Sequence, residues 1–560
     1  MSFLLLIQFL NGQNTLNKKN ISYGHDYQGF SKALKKYFTI DDVLLSVCLY
    51  RETIILQTFS KDSLNCINSK DYRGFPKNVQ VEDVVEFNNH VYLFYSTLVH
   101  DDSLFEEKLY LKEINVDSCR FEKTKLLMKV DGNVTAILSM QDYDNFDFCS
   151  SLDQDRFMVQ YKKKKKMKQP VELGYKIFDR DFNLVWEKEI EMPYNGFQME
   201  NIDFAIDAQS NVYLASYIFR NKVSNLFRDN KGPARRVTER GAINYDLEIF
   251  KIGIKTGNFT KSKIVLDSGY HINSFKFFPI NNEQLIGAGY SSVVGRNDKF
   301  HQTSGVFKFN LLDKERKIDM LPIPTDLVNQ NLKKSKVALN TSLSRRYGKY
   351  FKPVLKDLVP ENMILEKDGG MILIGEQQIP IERHYVVPGP GVIVYSSTQH
   401  MLYNDVLISK FNTDGSSAWM KKLAKRQETT NRIDFFGLQK RGLSFKLVEG
   451  EKDLYLLYVD QFKNLKLPSD KKPAELNDDG NHGFLTAYKI NRTTGAASKA
   501  AILDVQQIRG LRTNNFNISG INTFQKDQFL FEGYYNNEDM SEAHLRLTNV
   551  LGFLTLVNLK

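Results

Sequence analysis

The sequence predicts an all-β fold, a β-propeller of about seven four-stranded blades carrying one helical insert. Three observations predict it: a composition suited to pleated strands, a strand-turn-strand motif that recurs along the chain, and an apolar strand ahead of each copy. Phe (39) and Tyr (27) are abundant while Pro stands at only 14 in 560 residues. Aromatic side chains fit half-buried sheet surfaces, and Pro-rich stretches, which would mark linkers between domains, are missing. Hydrophobic residues at 42% and charged residues at 25% are the proportions of a chain that buries a large core.

The motif is clearest around the chain's two tryptophans. Phe178 and Trp186, and again Phe411 and Trp419, stand eight residues apart with a polar turn between them. A second pair, 251–257 and 489–495, runs from Lys-Ile to a closing Gly257 or Gly495. All four read as strand, tight turn, strand. Looser copies at 112–115, 308–310 and 546–549 bring the hairpins to seven, and apolar strands precede them at 91–95, 157–161, 212–215, 285–289, 371–375, 454–458 and 529–533. Strands repeated without intervening helices do not build a parallel βαβ sheet, and radial packing protects the edges of short repeated sheets. The stretch 41–75 is expected to supply either an eighth, incomplete blade or the strand that closes the ring.

The run Asp368-Gly369-Gly370-Met371-Ile372-Leu373-Ile374-Gly375, followed by 405–411 and the turn from Gly415 to Trp419, resembles the degenerate repeats of secreted bacterial β-propellers, including those of Bacteroidetes. Its Gly-to-Trp turn is also similar to that of quinoprotein-type blades. The resemblance implies a fold and an exported setting but no activity, since such propellers include enzymes, lectins and scaffolds. The N-terminus agrees with export: residues 1–20 read as a secretory leader, with an apolar run from Phe3 to Leu10, although no Lys or Arg precedes it. The remainder, 21–560, reads as one domain with the helical insert at 325–360. No later stretch approaches the ~20 apolar residues of a membrane span. Cys48, Cys66, Cys119 and Cys149 are too scattered for a zinc ribbon or a redox pair, and four reduced thiols are favoured over a Cys48–Cys66 bridge.

Function should be written in the loops. With strands ordered a to d from the axis outwards, the b-to-c and d-to-a connections share one face of a propeller. The long connections (162–171, 220–245, 291–303, 376–404, 460–482) are all b-to-c, and the insert, with Leu327, Leu332, Leu339 and Leu343 at helical spacing, joins the same face as a d-to-a connection. That face is basic. Lys162 to Lys168 form a lysine run, best read as a solvated tip, and the candidate ligand-binding residues are Arg235, Arg236, Arg240, Arg296, His301, Arg345, Arg346, Arg383 and His384. Arginine suits bidentate contact with phosphate, carboxylate or sulfate. With a net charge of +10, the expected partners are an anionic glycan, a lipid headgroup or a protein, and export argues against nucleic acid.

The sequence contains no His-Glu-x-x-His, phosphate loop, Gly-x-Ser-x-Gly elbow or dinucleotide fingerprint, and so points to no catalytic residue. The stretch 142–147 is similar to the start of a calcium loop but lacks its turn glycine and terminal Glu. No metal or cofactor is expected. Trp186 and Trp419 are expected to be packing residues. A binding or scaffold role is therefore favoured over a propeller enzyme, carbohydrate-active or quinoprotein-like, with a site in the central pocket.

Overall fold

The computed structural model describes residues 20–560 except 31–33, 51–52, 74–78, 102–103, 139–143, 221–243, 256, 267–269, 294–301, 314–316, 348–353, 390–391, 431–442, 469–470, 478–481, 514–515 and 537–549. Eight antiparallel sheets follow one another as blades: 34–72, 79–131, 134–195, 199–264, 270–322, 358–423, 446–504 and 522–558. Each runs a-b-c-d in chain order, except that strand a of blade 3 is split into Val134–Thr135 and Asp147–Ser150. The outermost strand of blade 8 comes from the other end of the chain: Ile21–Tyr23 pairs with Val550–Asn558, Ile21 opposite Val557. The stretch 41–75 is therefore neither incomplete nor the closing strand; with Leu34–Ile40 it makes a full blade 1.

The repeated apolar strands are the b strands. Val212–Phe219 is buried at every position, because a neighbouring blade covers each face of it. Eight hydrophobic clusters lie at the eight seams, one between each pair of adjacent blades. The 8/1 seam has the smallest cluster, around Tyr27, Leu44, Phe59 and Leu554. A polar network stands in for apolar area there: Glu532 accepts from Tyr27, Tyr534 and Lys35, the last at 2.8 Å. The four cysteines are free, Cys48 and Cys66 standing on the b and d strands of blade 1. Burial pushes the Cys48 thiol up to about 12.

Six of the seven hairpins are the c-to-d turns of blades 2 to 7, and the copy at 546–549 lies outside the described residues. Phe178 and Phe411 occupy equivalent ranks, each followed by a bulge that leaves Trp186 opposite Ile177 and Trp419 opposite Lys410. Both indoles pack against seam clusters, 3/4 and 6/7 respectively. The Lys-Ile copies close identically: Gly257 N–H donates to Gly253 O and Gly495 N–H to Asn491 O, with φ of 64° and 68°, a left-handed backbone that glycine adopts freely. On four a strands a bulge falls near the entry, at Glu82, Ile202, Asn273 and Glu361. A bulge turns the following side chain out of the ladder, and three of these positions lie beside inter-blade bonds: Lys36 to Asp83, Phe277 N–H to Asp203 (2.6 Å) and Ser274 Oγ to Leu358 O (2.7 Å).

Two expectations about the loops change. The connection 376–404 is a β-ribbon, in which the b and c strands of blade 6 run on as Met371–Gly389 and Val392–Phe411. The insert forms two helices, α1 (Thr325–Asn329) and α2 (Lys334–Tyr347), but the leucine row does not define a buried stripe, since Leu339 is 47% exposed while Val328 is buried. No helix among the described residues is long and apolar enough to cross a membrane.

Candidate functional site

Polar groups converge on the b-to-c face at blades 6 and 7, where three connections meet. The first is the chain from blade 6 to blade 7. Within it Gln427–Thr430 adds a short strand beside the ribbon, pairing with Tyr403 to His400, and Gln427 also bridges to Leu476 of the blade 7 loop. Beneath it Glu376, fully buried on strand b of blade 6, accepts from Lys425 Nζ at 2.5 Å and Ser444 Oγ at 2.6 Å. Lys425 also donates to Gln427 Oε1 (2.8 Å) and Tyr403 O (3.2 Å). A buried ammonium and carboxylate are tolerable only with their hydrogen bonds filled in this way.

The second connection is the insert. Lys422 Nζ, buried, donates to Val328 O and Gln330 O at the end of α1. Asn331 Nδ2 then donates to Pro468 O (3.3 Å) and Lys471 O (3.1 Å) of the third connection, the blade 7 loop. That loop is pre-organised. Asn464 exchanges two 2.8 Å bonds with Ala474 and donates to Asp460 at 2.7 Å, and Asp460 also takes Lys499 Nζ at 2.7 Å. Above this floor lies a cavity of about 630 Å³ lined by Phe462, Lys463, Glu475, Asn477 and His482 among others. Phe462 is exposed on one side and stacks obliquely on Phe484, 5.0 Å between centroids.

The Asn331 contact brings cations together. Lys472 sits below its ordinary pKa, first because of burial and then because Arg426 and Lys333 repel its charge, with Glu475 partly offsetting them. Arg426 pairs with Glu475, on the cavity wall. Lys333, Lys463 and Lys472 are exposed. Three connections thus bring cations into one field, which Glu475 and Asp405 only partly offset, and such a field attracts an anion.

Residues nominated from the sequence divide into three groups. Arg235, Arg236, Arg240, Arg296 and His301 lie outside the described residues. Arg345 and Arg346 are exposed in the last turn of α2, where the helix dipole favours positive charge in any case. Arg383 lies on the ribbon and is held by Glu428, Nε to Oε1 at 2.8 Å, with His400 Nδ1 2.9 Å from the same oxygen; the Arg383 guanidinium holds the Glu428 carboxyl below its usual range. His384 follows on the same strand. In the lysine run, read as a solvated tip, Lys163 and Lys165 both pair with Glu172, and Lys163 also with Glu189 at 2.6 Å, while Lys164, Lys166 and Lys168 are exposed. Lys333, Arg426 and Lys472 are united by the Asn331 contact, the Gln427–Leu476 bridge and the Arg426–Glu475 pair, none of which leaves a mark in the sequence.

A second constellation lies between blades 2 and 3. Glu82 accepts from Ser96 Oγ (2.5 Å) and Asn145 N–H (2.9 Å), and Asn145 Nδ2 reaches Glu107 at 3.4 Å. Burial pushes the Glu82 carboxyl up to about 7. Asp147, from the calcium-like stretch, accepts from the backbone N–H groups of Ile137 and Leu138. Among the described residues no group of His, Cys, Asp and Glu is placed to hold a metal ion.

No protein-family model matches the chain, and no curated protein matches it. Similar solved structures include a variant of the Synechocystis apocarotenoid oxygenase, 11% identical, covering 72% of this chain and 76% of that one with a TM-score of 0.31. The cobalt-substituted form of that oxygenase is also 11% identical, covering 69% and 71%, with a TM-score of 0.31. Values this low carry nothing about the chemistry of this chain.

Proposed function

We propose that the protein is an exported binding propeller that takes an anionic ligand on its b-to-c face, at blades 6 and 7. One observation carries the reading: Lys333, Arg426 and Lys472 converge from three connections beside a pre-organised cavity of about 630 Å³. The cavity's walls add Lys463 and the exposed edge of Phe462, a pairing of cation and aromatic that suits a phosphate-, carboxylate- or sulfate-bearing ligand with an apolar or sugar-ring face. Beneath it, the Glu376–Lys425 and Asp460–Lys499 pairs fix the connections, so that little is ordered on binding.

The test is binding to matched neutral and acidic polysaccharides and to inorganic polyphosphate at two salt concentrations, with Lys333→Ala/Lys472→Ala as the variant. Salt-sensitive binding of the acidic probes alone, weakened in the variant, is expected; binding that ignores both salt and variant would refute the site. The competing reading, a propeller enzyme, draws on Glu82, a buried carboxyl titrating near neutrality as general acids do. Turnover of a glycoside panel abolished by Glu82→Gln would favour that reading instead.

A further inference from the structure

The ribbon of blade 6 is the longest strand-paired connection on this face among the described residues, the blade 2 ribbon ending at Asp101–Leu104. Strand pairing with the rest of the blade stops at Leu358–Gln377 on one side and at Thr430–His400 on the other. Beyond these, the ranks from Glu382–Gln399 to Gly389–Val392 pair only with each other among the described residues. Eight ranks of antiparallel ladder span about 25 Å.

The sequence along this stretch is zoned by rank. The outermost ranks are Gly389–Val392, Pro388–Ile393 and Val387–Val394; next come Val386–Tyr395 and Tyr385–Ser396; then His384–Ser397 and Arg383–Thr398. No charged residue occurs from Tyr385 to Gln399, in a chain where 25% of residues are charged. An apolar end, two tyrosines on adjacent ranks and, behind them, the polar zone of His384, Glu382 and the Glu428-paired Arg383 follow the order of tails, interface and headgroups met on entering a bilayer. The basic surroundings agree: exposed Lys333, Lys334, Lys336, Lys463, Lys466 and Lys472 lie on the connections of the same face. Anionic headgroups attract such a patch. Strand addition by another chain is disfavoured, because Pro380 and Pro388 each remove an N–H from the ribbon.

We propose that this ribbon is a membrane wedge: its outer ranks, Val386–Gly389 and Val392–Tyr395, enter the interfacial layer of an anionic lipid bilayer while the basic face rests on the headgroups. The proposal rests on the anion-binding reading of that face and names its partner as a lipid surface.

The test uses the full chain with vesicles of phosphatidylcholine alone and of phosphatidylcholine mixed with phosphatidylglycerol, beside soluble inorganic polyphosphate. Two variants are compared. Val387→Asp/Val394→Asp puts charge on the apolar ranks, and Val387→Trp reports on depth through its emission and its quenching by brominated lipid chains. Expected are binding to the anionic vesicles, weakened roughly tenfold or more by the Asp pair, with polyphosphate binding unchanged, and a blue-shifted, quenched Trp. Anionic-vesicle binding that is indifferent to the Asp pair, or an unquenched Trp, overturns the wedge and leaves the basic face standing. Polyphosphate bound but no vesicles bound does the same, and a dimer abolished by the Asp pair without vesicle binding assigns the ribbon to a second copy. Loss of both vesicles and polyphosphate in the wild type overturns the wedge and the anion-binding reading together. Unchanged thermal melting of the Asp pair certifies the fold.

Discussion

The two faces of this propeller solve opposite problems with the same strands. On the face of the a-to-b and c-to-d turns, connections are short and many polar groups cap their own backbone, with pairs such as Arg492–Glu366 (2.7 Å) tying one turn to the next across a seam. Asp207, Asp368 and Asp414 accept from Asn211, Gly370 and Ser416 N–H groups, and those N–H bonds help hold the Asp368 carboxyl below its ordinary range. On the opposite face the connections are long, and their polar groups are satisfied by partners far away in sequence, as Glu376 is by Lys425 and Ser444. Local capping makes a closed, rigid rim; distant pairing assembles separate loops into one surface. The second kind of face is the one that can hold a ligand.

The contrast is broken most severely at the buried pairs. Lys425→Ala strands the Glu376 carboxylate in a site with no solvent, and a loss of about 3–5 kcal/mol is expected in denaturant unfolding. A loss below 1 kcal/mol would mean that the loops assemble without it.

Next is pH. Burial raises Glu82 from 4.5 to about 7, so the folded protein holds that proton more tightly than the unfolded chain does. Its contribution is therefore full below about 4.5 and is lost as pH rises to about 7. Glu82→Gln should remove this slope and raise stability at pH 8 by about 2–3 kcal/mol, measured as the shift in urea midpoint at pH 4.5 and 8. His271 opposes it: burial lowers its imidazole to about 4, so its contribution is full above about 6.5 and declines towards 4.

The turn face is sharpened by two glycines of equal conformation. A Cβ at Gly495 would lie 2.6 Å from Trp419 of the neighbouring blade, whereas at Gly257 it would meet only Lys188 Nζ at 3.6 Å. Both Gly→Ala changes carry the left-handed cost of about 1–2 kcal/mol. Gly495→Ala should exceed Gly257→Ala in the same unfolding assay; equality would show that the 6/7 seam yields freely around Trp419.

These glycines also explain how much of the fold was legible. Gly257 and Gly495, with the Phe-to-Trp spacing, expose the c-to-d turns directly, because a left-handed turn residue and a packed indole each demand a residue type. Blade 1 is harder to read because its c-to-d turn uses Leu64 at φ 61° and has neither the glycine of the blade 4, 6 and 7 turns nor the tryptophan that marks blade 3. The closing strand leaves little signal, since Ile21–Tyr23 is only three residues long and pairs with a strand more than 500 positions away. The long connections were placed on the correct face by strand order alone. Their internal structure was not legible: the ribbon at 376–404 carries three prolines, Pro380, Pro388 and Pro390, as a loop would, and the site at Lys472 depends on Asn331 touching Lys471 across 140 residues.

The smallest effect on stability carries the largest on function. Lys333→Glu/Lys472→Glu changes exposed side chains and should leave stability within about 0.5 kcal/mol. The decisive measurement is binding of an acidic polysaccharide across a salt series by the wild type, by this variant, and by Lys452→Glu/Lys526→Glu, which makes the same charge change on exposed lysines of the turn face. Binding abolished by the first pair and retained, with its salt slope, by the second is the predicted result. Equal losses from the two pairs would show that only net charge matters, and would contradict a site on the b-to-c face.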